Sequence, residues 1–264
     1  EFIIVNDGNN PSIEKKILSY CSKDNRIIYK FTDGIGLTAS LNYAISFSNS
    51  NIIARQDYDD ISNKSRLEMQ FNFLNKNDKY VLCATNFIRI DSKNTIIRNK
   101  SRFIFPIFNY KNILVYKNPF IHSSCIFYKK DFLEVNKYNE NFIFSQDYEL
   151  WTRLIKKGSF KILSKNLLYL RIHNQSISSL KNKNQRYYSL IIGLKYLHSE
   201  IENEIDMIND INFLTIIEGK YVKNKKIYND IIARKYVYLY DLVKTYEIVF
   251  YNYKIIFKII QIYI

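Results

Sequence analysis

The stretch Asn51-Ile-Ile-Ala-Arg-Gln-Asp-Tyr-Asp-Asp60 decides how the rest of the chain is read. Residues 51–54 form a short apolar, β-branched run, which predicts a buried strand. The strand runs into Asp57, Asp59 and Asp60. Carboxylates this close repel one another, which a fold tolerates cheaply in solvent or usefully around a cation. Alternate carboxylates at a strand end reach one divalent metal, and hard cations prefer oxygen ligands and phosphate. Taken alone, a solvated acidic turn is the plainer explanation. The flanking sequence tips the reading toward the cation.

Upstream, residues 2–5 predict a strand and Asn6-Asp-Gly-Asn-Asn-Pro11 its turn. Residues 12–21 carry Ile13, Ile17, Leu18 and Cys21 at helical spacing, with Ser12 as N-cap. Residues 26–29 form a second strand and Thr32-Asp-Gly-Ile-Gly36 a loop. A helix follows over 37–47, with Leu37, Leu41, Ala44, Ile45 and Ser48 on one face. This β-α-β-α-β order predicts an α/β fold, a mostly parallel sheet with flanking helices. Such sheets bind ligands beyond the carboxyl ends of their strands, where Asp7 and the 57–60 cluster lie.

Downstream, residues 63–74 predict a helix with Leu67, Phe71 and Leu74 inward. A strand is expected over 80–84. Residues 87–90 and 95–98 flank Asp91-Ser-Lys-Asn94 as a hairpin. Residues 99–118 are weakly patterned. A strand over 123–128 and a short helix over 131–135 follow. A helix over 142–157 is stopped by Gly158, and strands cover 160–163 and 167–172. Lys181-Asn-Lys-Asn-Gln-Arg186 is a basic hinge, and long helical pattern follows it. The expected division is a domain over 1–180 and a helical C-terminal extension over 181–264. Near the end, Glu247, Tyr251, Lys254, Lys258 and Gln261 make a polar stripe on an apolar helix. Such a helix suits peripheral contact with an anionic membrane surface, or docking on its own domain or a second subunit.

At 47% hydrophobic residues the chain has enough apolar material for a sizeable core, which argues against global disorder. The formal net charge of +14 points to anionic partners: nucleic acid, acidic headgroups or phosphorylated substrates. Cys21, Cys83 and Cys125 are far apart in apolar stretches and read as reduced core thiols. No apolar stretch is long enough to span a bilayer, so the expected location is cytoplasmic, peripheral on the inner face of the plasma membrane. A strand starting at residue 2 without lead-in suggests that an N-terminal element precedes it.

Several stretches, in order, resemble the family 2 glycosyltransferases of GT-A fold. Val5-Asn-Asp-Gly8 resembles the Asp-Asp-Gly turn of that family, and Gly36-Leu-Thr-Ala-Ser-Leu-Asn42 its glycine-led helix. Ala54-Arg-Gln-Asp-Tyr-Asp-Asp60 with Arg66-Leu67 resembles its Asp-x-Asp metal motif. Asn118-Pro-Phe-Ile-His122, Tyr138-Asn-Glu-Asn-Phe142 and Gln146-Asp-Tyr-Glu-Leu-Trp151 resemble its acceptor-side segment. Arg171-Ile-His173 resembles its closing Arg-x-His. The likeness covers residues 1 to about 178 and looks closest to bacterial transferases that build capsular or lipopolysaccharide chains. It departs from the family at Asn6, at Gln146, and in lacking the family's first strand.

The resemblance implies an inverting transfer of sugar from a nucleotide-diphospho-sugar donor to a saccharide or lipid-linked acceptor, with Mg²⁺ or Mn²⁺. It implies Asp147 as the base and Asp7, Asp57, Arg55 and Arg171 as donor-binding residues. His122, Tyr148 and Trp151 fall on the acceptor side, and Asp59, Asp57 and His173 at the metal. The residues alone leave alternatives. Arg55 pairs with the acidic cluster or with diphosphate, His122 is a core histidine or an acceptor residue, and Asp147 is a base or a helix cap. A basic, aromatic nucleic-acid-binding module would explain the charge but leaves the Asp cluster and Asp147 unexplained. The expected partners therefore exclude nucleic acid. An inactive transferase remnant is the third reading.

Overall fold

The structure, a computed structural model, describes residues 1–8, 10–97, 110–114, 117–173 and 182–197. Strands β1 (Phe2–Asp7) and β2 (Ile27–Thr32) pair in parallel, from Phe2 opposite Ile27 to Asp7 opposite Thr32. Helix α1 (Pro11–Cys21) joins them. Its cap is Asn10, not Ser12: the Asn10 side chain accepts the Ser12 and Ile13 N–H groups at 3.2 and 3.3 Å. Pro11 occupies the first helical position, where a missing N–H costs nothing. Helix α2 (Leu37–Ser46) then leads to β3 (Ile52–Ala54).

Strand β3 joins a second sheet with β4 (Ile61–Ser62), β5 (Tyr80–Ile90), β6 (Ile126–Tyr128) and β7 (Ser159–Arg171), in the order β3-β6-β5-β7-β4. Only β5 and β7 run parallel there; β3–β6, β5–β6 and β4–β7 are antiparallel. The α/β fold is therefore present in mixed form, because β6 and β4 are short strands that return against their neighbours. Strand β7 is continuous where the sequence suggests two strands. Its register against β5 slips after Leu163, where Ser164 and Lys165 bulge between Thr85 and Asn86. Strand β5 likewise runs through to Ile90, and Ile96 bridges back to it.

Helix α3 (Arg66–Asn75) presents a different face from the one its apolar residues suggest. Leu67 and Phe71 are 52% and 50% exposed, while Arg66, Gln70 and Leu74 are buried. The cause is polar. Arg66 donates to the carbonyls of Ser123 and Arg55 at 2.9 and 3.2 Å, and Gln70 to those of Cys83 and Ser124 at 2.6 and 2.8 Å. Buried carbonyls without donors are costly, so the helix turns its donors inward. Leu74→Ala is expected to cost about 2–5 kcal/mol and Phe71→Ala less than about 1 kcal/mol. Chemical denaturation of both variants checks this, and the reverse ranking would overturn the orientation.

Helices α4 (Tyr110–Ile113), α5 (Lys129–Glu134) and α6 (Gln146–Leu154) complete the layer behind the sheet. Trp151, Phe127, Phe132 and Leu150 are fully buried there. Gly158 follows α6 where the backbones crowd: a Cβ would lie 2.9 Å from the Lys79 carbonyl oxygen. Helix α7 (Asn182–Leu197) lies beyond the expected boundary near 180 and packs on the start of α6. Tyr188 meets Phe142 and Phe144, at ring-centroid distances of 5.9 and 5.6 Å. Residues Glu1–Asn209 form one compact unit, and Asp210–Ile264 lie outside the described residues, including the polar stripe at 247–261. All three cysteines are free. Among the described residues no helix is long and apolar enough to cross a membrane.

Candidate active site

The Asp-rich turn leaves β3 at its carboxyl end and is tied down on three sides. The Arg55 N–H donates to Cys125 O at 3.0 Å, and the buried Arg66 guanidinium holds Arg55 O. The Arg55 guanidinium reaches back to Asp57, forming an ion pair with it. On the other side, Ser123 Oγ sits between Asp57 Oδ2, at 2.5 Å, and Asp60 Oδ2. One hydroxyl hydrogen serves two carboxylates, and they settle differently. Burial pushes Asp57 up, but the Arg55 guanidinium and the Ser123 hydroxyl outweigh it and hold the carboxyl below its ordinary value. Burial also pushes Asp60 up; there the Ser123 and Arg171 donors fail to offset it, and the charges of Asp57 and Asp59 add to it. Asp60 is thus the carboxyl nearer its protonated form.

Asp59 points elsewhere. Its Oδ2 lies 2.9 Å from His173 Nε2, and both side chains are about one-fifth exposed. They open on a cavity of about 670 Å³, bordered also by Tyr58, Ser92, Asn94 and Arg171. Tyr58 is 96% exposed beside it. Arg171 holds this turn to the 91–94 loop. Its N–H binds Asp60 Oδ1 at 2.9 Å, and its guanidinium bonds Asp59 O, Asp91 O and Asn94 Oδ1 at 2.7–2.8 Å. The expected trio of Asp57, Asp59 and His173 does not converge, because Arg55 and Ser123 hold Asp57. Among the described residues no three of His, Cys, Asp and Glu come together as a metal cage.

Asp147 lies in the first turn of α6, where the helix dipole favours a carboxylate. The preceding Ser145 adopts a left-handed conformation, φ 56°, and its Oγ meets Gln185 O and Ser189 Oγ of α7 at 3.3 and 3.2 Å. Burial raises the Asp147 pKa to about 6, opposed by the N–H of Tyr148 and the Asn118 amide and helped by Asp57. Asn118 Nδ2 donates to Asp147 Oδ2 at 2.7 Å.

The other acceptor-side residues take the core alternative that the sequence leaves open for His122, and Tyr148 and Trp151 do not form a wall. Tyr148 and Trp151 are 0% exposed, so neither can wall an acceptor. The Tyr148 hydroxyl donates to Leu114 O, and the Trp151 ring packs edge-on against Phe127 and Phe160. The α6 helical period sets this, turning residues 148 and 151 into the core while Asp147 stays partly exposed. His122 bonds the Tyr138 hydroxyl at 2.8 Å and lies edge-on to Trp151. Burial, with Arg55 nearby and Asp57 opposing, drops its pKa to about 3, so it is neutral near pH 7. Asp7 is a loop anchor. It accepts from Thr32 Oγ1, Ile35 N and Gly36 N at 2.8–2.9 Å, fixing the entry to α2. Burial raises its pKa, but these donors outweigh it and hold the carboxyl below its ordinary value.

Ser123, Asn118 and Arg66 are site residues that the sequence reading passes over. Each sits inside or beside a quoted motif; Ser123 and Asn118 are small polar residues with no chemistry of their own to mark them, and Arg66 enters only as part of its motif, without a role. The model of glycosyl transferase family 2 matches residues 1–136. The chain is 36% identical over 179 residues to the O-antigen biosynthesis glycosyltransferase WbnJ of Escherichia coli, covering 66% of this chain and 68% of that protein. It is 34% identical over 191 residues to an uncharacterized glycosyltransferase of Methanocaldococcus jannaschii, covering 71% and 66% of the two. It therefore spans about two thirds of the length of these relatives. The fold resembles that of S. aureus TarS 1–349 in complex with UDP-GlcNAc, with TM-score 0.59 at 13% identity, covering 86% of this chain and 65% of that one. With a family match over more than half its length, the chain belongs to glycosyl transferase family 2.

Proposed function

We propose that this chain carries out inverting transfer of a sugar from a nucleotide-diphospho-sugar to a hydroxyl of a saccharide or lipid-linked acceptor, in the assembly of a cell-surface polysaccharide. The observation that carries the reading is the presence of two sites, one at the carboxyl ends of β3 and β7 and one at the start of α6. One is an open cavity with Asp59 and His173 at its wall; the other is a partly exposed carboxylate, Asp147, with a pKa of about 6. A base with that pKa is largely ionised near pH 7 and still able to accept a proton. Asp147 takes the acceptor proton as that oxygen attacks the anomeric carbon. The bond to the diphosphate oxygen breaks on the opposite face, and its electrons leave with the diphosphate.

A divalent cation, Mg²⁺ or Mn²⁺, fits the donor side in part. Asp59 and His173 offer one carboxylate and one imidazole 2.9 Å apart at the cavity wall. Such cations often take one or two protein ligands and complete their shell with water and substrate phosphate. When bound, the cation would neutralise charge developing on the diphosphate. Asp57 serves the site differently from the expected ligand role. Paired with Arg55 and Ser123, it fixes the turn from which Asp59 projects. Arg171 contributes its charge beside the cavity, with guanidinium bonds to the turn and to the 91–94 loop, and Asp7 shapes the loop expected to meet the nucleotide. The donor reading draws support from the O-antigen role of WbnJ and the UDP-GlcNAc bound by TarS. Calorimetric titration with UDP, GDP and dTDP, with and without Mn²⁺, tests it. Binding of none of these, together with salt-dependent binding of oligonucleotides, would favour a nucleic-acid module instead.

A further inference from the structure

Asn118 stands beside the base on a loop that the transfer chemistry does not itself use. Its Nδ2 donates to Asp147 Oδ2 at 2.7 Å, and its Oδ1 accepts the Phe120 N–H at 3.0 Å. The second bond fixes the first. An amide whose oxygen is held by a backbone donor must turn its NH₂ the other way, so oxygen and nitrogen are assigned by the network. The loop itself is anchored, since Phe120 is buried and its ring packs against Phe160 and Trp151. The backbone of Asp147 is anchored too, through α6 and the bonds of Ser145 to α7. What remains is rotation of the carboxylate, which the Tyr148 N–H and the Asn118 amide restrain together.

We propose that Asn118 is a positioning residue for the base: it pins Oδ2 of Asp147, turns Oδ1 toward the acceptor hydroxyl, and favours the ionised carboxylate. The proposal rests on the reading of Asp147 as the base. A carboxylate free to rotate would present either oxygen in many directions, and a proton must be collected within hydrogen-bond reach. Electrostatics point the same way. Besides Asn118 and the Tyr148 N–H, the titratable groups facing Asp147 among the described residues include Asp57, Cys125 and Tyr138. Burial pushes the Cys125 thiol and the Tyr138 phenol up, so both are neutral near pH 7. Asp57 is paired with Arg55. The Asn118 amide is therefore the side-chain dipole that opposes burial at the base.

The test uses the whole protein and two variants. Asn118→Asp keeps the acceptor for Phe120 N–H and sets a carboxylate against Asp147. Asn118→Ala deletes both contacts. Titration of ¹³C-labelled Asp carboxyls by NMR follows Asp147, assigned by the loss of its signal in Asp147→Asn. The midpoint is expected to rise by about one pH unit in Asn118→Ala and further in Asn118→Asp. Release of nucleoside diphosphate from a mixture of UDP-, GDP- and dTDP-linked sugars should show the acid limb of the rate moving by the same amount. The rate on the alkaline plateau should fall about tenfold, with donor KM unchanged. An unmoved midpoint in both variants, with the amide spectrum native, overturns the proposal. A midpoint that moves while the rate profile stays put keeps the contact and removes Asp147 as the base.

Discussion

Asp59→Ala is expected to abolish the gain in nucleoside-diphosphate affinity that Mn²⁺ or Mg²⁺ confers. The substitution is clean because Asp59 divides its work between side chain and backbone. Its carbonyl holds the Arg171 guanidinium at 2.8 Å, a bond that alanine keeps. Its carboxylate faces the cavity beside His173, where a cation would meet the diphosphate. Loss of that ligand should therefore weaken binding by about tenfold to a hundredfold, or about 1.4–2.7 kcal/mol, without unfolding the chain. Asp59→Asn keeps the shape and loses the charge, so most of the gain should go with it. Asp57→Ala predicts a different pattern. It strands the partly buried Arg55 guanidinium, so lower stability should accompany any loss of affinity. Calorimetric titration of wild type with and without chelator comes first, and equal affinities in the two would end the metal role.

How far the sequence could be read depended on what each signal measures. The short run at 51–54 and the helical spacing of 37–47 report local periodicity, and both elements are present as β3 and α2, although β3 is half-buried to exposed rather than buried. Strand direction is not local. That β3 pairs antiparallel with β6, some 75 residues on, follows from how distant segments return, which spacing cannot encode. Periodicity also misleads at α3, because apolar spacing marks one face as inward while Arg66 and Gln70 are needed there to satisfy four carbonyls, three of them buried. The site shows the same division. The Asp cluster and Asp147 drew attention through the ordered resemblance of their motifs, since a solvated turn and a helix cap explain them when each is taken alone. Their partners did not: Ser123 and Asn118 are ordinary residues until the fold sets them 2.5 and 2.7 Å from a carboxylate. Aromatic residues near a motif invite a functional role, yet in α6 Tyr148 and Trp151 fall on the buried face.

Asp147→Asn should cost on the order of a hundredfold or more in turnover while leaving donor affinity intact. The donor side is assembled from the 57–60 turn and His173, held by Ser123, by Arg171 and by the Asp59–His173 contact. The base and the donor site should thus separate cleanly under mutation. The same substitution makes a second, opposite prediction about stability. Burial raises the Asp147 pKa to about 6, above the ordinary carboxylate value it takes in the unfolded chain. Between those two values the folded protein binds more protons than the unfolded one, so this group makes stability fall as pH rises through that window. Above it, keeping the carboxylate ionised in the fold costs up to about 3 kcal/mol. Asparagine carries no charge to bury and can accept the Asn118 N–H through its own oxygen. The variant should therefore match wild type in stability near pH 3 and exceed it near pH 7.5, while being nearly inactive. Denaturant titrations at the two pH values, run beside the turnover assay, read both effects. Near wild-type turnover would remove Asp147 from the mechanism. A stability difference that does not grow with pH would mean that its carboxylate is not held at a cost in the folded protein.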